Sequence, residues 1–191
     1  MGGLDGVRYS NSHIFNKAFG WKGVLVELGP ANFGMLQKNR PNEIATVNAA
    51  VCGKRQTIHY VERGPVGGIW EFSNEIFRET WWPNIKLNET TKIECSPLSD
   101  VLSANAPNTT HYDFFSLDIE GAELDALLSL DYSRVGFGVI FAKADHTNQL
   151  KNHALRTFLQ NRGYTYLWRK DRSNWFINNN FQSIYENVIH F

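Results

Sequence analysis

Two carboxylates at alternate positions close an apolar run in Ser116-Leu117-Asp118-Ile119-Glu120-Gly121-Ala122-Glu123. Side chains alternate along an extended chain, so Asp118 and Glu120 share a face. Burying carboxylates costs several kcal/mol unless they are paired or bound to a ligand. A pair placed where a strand gives way to glycine and a helix is therefore a candidate ligand or catalytic site. Glu120 and Glu123 have the alternative of serving a helix N-terminus. Upstream, Gly3-Leu4-Asp5-Gly6 joins glycines that permit a tight turn close to a ligand to an acid, Asp5, able to accept a hydrogen bond from an ammonium group. Glu27 lies 21 positions beyond Gly6 and ends the apolar run Gly23-Val24-Leu25-Val26. An acid about 20 residues past a glycine turn, at the end of a second strand, can accept hydrogen bonds from both hydroxyls of an adenosine ribose. The plainer reading is a surface turn and a strand-end carboxylate. His146, in Asp145-His146-Thr147-Asn148, titrates near neutrality. With Asp118 and Glu120 it is a candidate to take a proton from a nucleophile, or else a neighbour of a helix capped by Thr147 or Asn148.

These residues need strands that end at one edge. Apolar runs of strand length alternate with helical patterns, which indicates an α/β domain with a mainly parallel sheet. Strands are expected over 22–28, 43–51, 56–62, 91–95, 113–119 and 135–144. A terminal hairpin is expected over 164–169 and 174–178. Helices are expected over 9–19 (Ile14, Phe15 and Ala18 on one side), 30–40, 74–82, 97–104, 121–130 and 148–162. Pro30 suits a first helical turn, and Gly163 a left-handed helix end. A βαβ unit requires a strand before Gly3, of which only Met1 and Gly2 remain. The aromatic and glycine-rich stretch from Pro65 to Trp82 either covers a substrate or packs as a loop over the sheet. Residues 181–191 are aromatic and Asn-rich, with no assigned element.

The chain has 191 residues, a length for one domain over 1–191 that needs no metal or disulfide staple. Nineteen basic residues balance nineteen acidic ones, which is not the electrostatic footprint of a nucleic-acid binder. Arg169, Lys170 and Arg172 read as a polar turn between strands. No window is long and apolar enough for a membrane span, no signal peptide is visible, and a cytoplasmic setting is the default. Cys52 and Cys95 lack metal-ligand spacing, and no metal site is expected. The two read as buried thiols in a reducing compartment, with a disulfide as the alternative. Asn88-Glu89-Thr90 and Asn108-Thr109-Thr110 match the glycosylation sequon, a short pattern that also arises by chance.

The motifs Gly3-Leu4-Asp5-Gly6, Tyr9-Ser10-Asn11-Ser12, Phe19-Gly20-Trp21-Lys22-Gly23, Glu27 with Pro30 and Asn32-Phe33, Asn39-Arg40-Pro41, Asn48-Ala49-Ala50-Val51 and Ser116 to Glu123 occur in this order. Together they resemble the FkbM family of methyltransferases over about residues 3 to 165, with Asp-Ile-Glu-Gly-Ala-Glu the most telling piece.

The resemblance implies a Rossmann-like class I fold with helices on both faces of the sheet, a terminal antiparallel hairpin and a truncated first strand. It implies S-adenosylmethionine as methyl donor and, by default, O-methyl transfer to a small-molecule or sugar hydroxyl. Gly3, Asp5 and Gly6 would face the methionine part of the cofactor, Glu27 the ribose, Ala49, Ala50 and Val51 the adenine edge, and Asp118 and Glu120 the reacting centre. Lys143 stands where the family usually has an acid. A cation near a sulfonium is unfavourable unless it pairs with Asp118 or Glu120. Two other readings stay open: a non-catalytic binding module on the same fold, and a nicotinamide-dependent oxidoreductase, for which the phosphate-binding glycine pattern is missing.

Overall fold

The computed structural model describes residues 1–144 and 148–180. In chain order the elements are α1 (His13–Phe19), β1 (Val24–Glu27), α2 (Pro30–Asn39), β2 (Ala45–Asn48), β3 (Ala50–Val51), β4 (Gln56–Val61), β5 (Gly68–Ile69), α3 (Glu75–Trp81), β6 (Thr91–Ser96), α4 (Leu98–Asn105), β7 (His111–Leu117), α5 (Glu123–Leu128), β8 (Gly136–Lys143), α6 (Gln149–Gln160), β9 (Tyr164–Lys170) and β10 (Ser173–Asn178). The two stretches Gly64–Val66 and Leu87–Glu89 are single 3-10 turns.

Local chemistry accounts for several of the helix boundaries. Pro30 opens α2, where its fixed φ suits the first turn and its missing N–H is not needed. The Asn74 side chain accepts from the Phe77 N–H at 2.8 Å and caps α3. Asn148 does the same for α6, accepting from the Lys151 N–H at 3.0 Å. Gly20, at φ 68°, ends α1 in the left-handed region that glycine enters without strain. The first helix is shorter than its sequence pattern, because residues 4–12 are taken up by turns. Its Phe15 stacks on Trp21 and leans on Phe114, each with ring centroids 5.1 Å apart, while Ile14 is exposed.

The fold is mixed α/β, as the sequence indicates, and its sheets combine parallel and antiparallel pairs. Among the described residues there are three sheets, with orders β1-β2, β7-β8-β10-β9 and β3-β6-β4-β5. The pairs β1/β2, β3/β6 and β7/β8 are parallel, while β10 pairs antiparallel with β8 and β9, and β4 with β5 and β6. Two local features divide the ladders. The expected strand 43–51 breaks at Ala49, after which β3 leaves β1 and pairs with β6. Among the described residues, Met1–Gly3 bridge β1 and β7. The Met1 amine donates to the Ser116 carbonyl at 2.5 Å, and the Gly3 N–H donates to the Val26 carbonyl at 3.1 Å. Beside them the facing edges of β1 and β7 border a cavity of about 410 Å³, walled by Val24, Leu25, Tyr112 and Phe114.

The main core gathers Val26, Leu117, Ile140, Leu155, Leu159 and Phe176, all nearly inaccessible to solvent. A smaller cluster holds Ala50, Ile58, Ile69 and both cysteines. There the free-thiol reading is overturned: Cys52 and Cys95 form a disulfide with Cα atoms 5.8 Å apart. Strand pairing is the cause, because Ala50 stands opposite Cys95 in the β3/β6 register and Cys52 lies just beyond the end of β3. Among the described residues no helix is long and apolar enough to cross a membrane.

Candidate active site

A cavity of about 370 Å³ opens at the carboxyl ends of β1, β3, β7 and β8. Its volume lies in the usual range for a small-molecule site, about 300–1,000 Å³.

Glu27 forms one wall and is 8% exposed. Its two oxygens have separate partners: Oε2 accepts from the Leu4 N–H at 2.8 Å and Oε1 from the Gly29 N–H at 2.9 Å. The carboxylate is thereby fixed in direction, with lone pairs to spare for a ligand's hydroxyls. The glycine turn reaches Glu27 because residues on both sides of it adopt positive φ: Gly2 at 72°, Leu4 at 45° and Gly6 at 80°. A side chain at Gly6 would also meet Arg40. Gly2 and Leu4 line the cavity, whereas Gly3 and Gly6 stand behind it as the frame of the turn. Asp5 is turned to its own loop, accepting from the Val7 and Arg8 N–H groups at 3.0 and 2.7 Å. Ala49, Ala50 and Val51 supply an apolar wall, held from behind by the disulfide.

Asp118, Glu120 and Lys143 also line this cavity. The Lys143 ammonium lies 2.9 Å from an Asp118 oxygen and 2.5 Å from a Glu120 oxygen. The Lys143 cation is thus engaged by two carboxylates. With both ionised the cluster is net negative, so it presents no bare cation to the cavity. Burial pushes the Glu120 carboxyl up to about 7; Lys143 opposes that shift and Asp118 adds to it. Lys143 itself is held above its ordinary value by the two acids, which outweigh the opposing effect of its burial.

Glu120 sits at φ 53° and is followed by Gly121 at φ 109°. A Cβ on Gly121 would meet the Phe72 carbonyl oxygen at 2.5 Å. Glu123 secures this turn from within. It is 4% exposed and accepts from the Ile119 and Gly121 N–H groups at 3.0 and 3.3 Å. The two acids that the sequence offered as helix-terminus groups therefore divide their roles: Glu123 braces the loop and Glu120 faces the cavity.

The segment 64–82 both packs and lines. Trp82 is buried, donates its indole N–H to the Val66 carbonyl at 2.7 Å and stacks with Trp70. Pro65, Val66 and Trp81 reach the main cavity. A smaller recess of about 80 Å³ continues past Glu120 and Lys143 toward Ser73, Phe77 and Arg172. Sequence reasoning missed Arg172, treating it as part of a polar turn. It does lie in the β9–β10 turn, and that turn folds back so that Arg172 lines both spaces. Tyr9, also missed, lines the main cavity. His146 lies outside the described residues, as does the tail 181–191. Among the described residues no group of three His, Cys, Asp or Glu side chains gathers as a metal site.

The family model for the methyltransferase FkbM domain matches residues 1–166. The chain belongs to this methyltransferase family. Comparison with curated proteins and with solved structures found no match. The matched span includes both carboxylate walls and the whole 64–82 segment, and it ends inside β9.

Proposed function

We propose that this domain transfers a methyl group from S-adenosylmethionine to a hydroxyl of a small molecule or sugar. The observation that carries the reading is that a fixed carboxylate, Glu27, an acid cluster, Asp118–Lys143–Glu120, and the apolar residues Ala49, Ala50 and Val51 line one cavity.

The residues present fit the cofactor. Glu27 would hold the ribose hydroxyls, Ala49 to Val51 would lie along the adenine, and the 2–6 turn would meet the methionine part with Gly2 and Leu4 foremost. When bound, S-adenosylmethionine supplies a methyl group already activated by its sulfonium. The protein then has to align an acceptor and receive its proton. Glu120 suits the second task, since a base titrating at about 7 is half ionised at neutral pH and borders both the main cavity and the recess. The recess, with Trp81, Phe77 and Arg172, offers an aromatic and cationic surface of the kind that receives a polar acceptor. Asp118 keeps Lys143 engaged when Glu120 takes up the proton, and His146 is a further candidate base.

On this reading the fold is the Rossmann-like one over a single domain, with helices on both faces of the sheet and the β9–β10 hairpin at its edge. Isotope transfer from methyl-labelled S-adenosylmethionine to a panel of sugars and small alcohols tests the activity. Label in an acceptor hydroxyl supports the proposal. Binding of the cofactor with no transfer to any acceptor class would favour the binding-module alternative.

A further inference from the structure

Three features lie outside the methyl-transfer site and point the same way. The first is the Cys52–Cys95 disulfide, which joins residues 43 apart and is 2% exposed or less at either cysteine. Such bonds form and persist in oxidising compartments and are rare where glutathione keeps thiols reduced. The second and third are Asn88-Glu89-Thr90 and Asn108-Thr109-Thr110. Neither middle residue is proline, as the acceptor pattern requires.

The fold presents both asparagines. Asn88 is exposed in the 3-10 turn Leu87–Glu89 before β6, and Asn108 is exposed in the turn between α4 and β7. Neither residue lines the main cavity or the recess, so a bulky group on either leaves the proposed active site open. A sequon buried in a strand or helix would carry no such implication.

We propose that Asn88 and Asn108 are acceptors of N-linked glycans, and that this domain matures in an oxidising secretory compartment and not in the cytoplasm. In the modification each side-chain amide nitrogen bonds to the anomeric carbon of an oligosaccharide carried on a lipid diphosphate. The carbon–oxygen bond to the diphosphate breaks, the amide gives up one proton, and the lipid diphosphate leaves. Enzymatic deglycosylation later leaves aspartate at each occupied position.

The test uses the protein purified from its own cells, treated with peptide N-glycosidase and mapped by mass spectrometry without reduction. Aspartate at positions 88 and 108, with the Cys52 and Cys95 peptides linked, is expected. Unmodified asparagine at one position removes that acceptor, and at both positions it overturns the proposal. A second measurement produces the full chain through a eukaryotic secretory pathway, with Thr90→Ala and Thr110→Ala variants that retain both asparagines. Each variant is expected to lose one glycosidase-sensitive step in mobility, and the double variant both. A disulfide-bonded wild type with no such step, or a step that survives in the double variant, would overturn the assignment.

Discussion

The Glu120 carboxylate lies 2.5 Å from the Lys143 ammonium, yet burial keeps its proton up to a pH of about 7. Desolvation thus outweighs the cation, and Asp118 pushes in the same direction. The folded protein holds this proton between the ordinary value of 4.5 and about 7, where the unfolded chain has released it. The sign follows from linkage: this contribution to stability is present below 4.5 and is lost as pH rises through about 7. Thermal unfolding across that window should show the wild type losing ground to Glu120→Gln as pH increases. A difference in Tm that is constant with pH would refute the perturbed carboxyl.

The same group should govern turnover. Methyl transfer should rise with pH through about 7 in the wild type, and Glu120→Gln should lower kcat by roughly 100-fold or more, the range of general base catalysis. Cofactor affinity should change little. A variant that loses affinity and kcat equally would place Glu120 in cofactor binding instead of proton transfer.

Gly121 is the one residue type that its position allows. At φ 109°, with the Phe72 carbonyl oxygen 2.5 Å from where a Cβ would lie, Gly121→Ala should cost about 1–3 kcal/mol of stability. It should also reduce activity, since the turn aims Glu120. Denaturant unfolding measures the first effect and initial rates the second. A fully active, fully stable alanine variant would show that the turn relaxes freely.

The Cys52–Cys95 bond closes a loop with a separation of 43 residues. In the loop-entropy account such a bond stabilises by about 4 kcal/mol. Cys52→Ala with Cys95→Ala should therefore lower Tm by many degrees. Because β3 carries Ala50 and Val51, the variant should also weaken cofactor binding below its unfolding temperature. Unchanged affinity in the folded variant would separate the disulfide from the cavity wall formed by Ala49, Ala50 and Val51.

Much of this is legible in the sequence. The alternation of Asp118 and Glu120 put both near one cavity, and Glu27 stood at a strand end as its spacing implied. Lys143 announced itself as a departure, with its salt bridge as the stated alternative. The rest depended on contacts distant in sequence. Nothing local indicates that Glu123 turns inward to brace residues 119 and 121, or that the β9–β10 turn brings Arg172 to the cavity. The disulfide follows from the β3/β6 register, which two isolated cysteines do not encode. The mixed pairing of the sheets has a related cause. Periodicity locates strands, but it does not reveal that the 43–51 segment changes partner at Ala49.

The most direct test of the central claim is binding of S-adenosylhomocysteine, measured by the shift in Tm of the wild type and of Glu27→Ala. At about a hundred times its dissociation constant the ligand should stabilise the wild type by roughly 2.7 kcal/mol. Loss of the ribose contact should weaken binding by about 1.5–3 kcal/mol, and the variant should start from a lower Tm because the Leu4 and Gly29 N–H groups lose their acceptor. A shift in the wild type that shrinks in Glu27→Ala is the predicted result. A cooperatively folded wild type with no shift, or an equal shift in both proteins, would contradict the assignment of this cavity to the cofactor through Glu27.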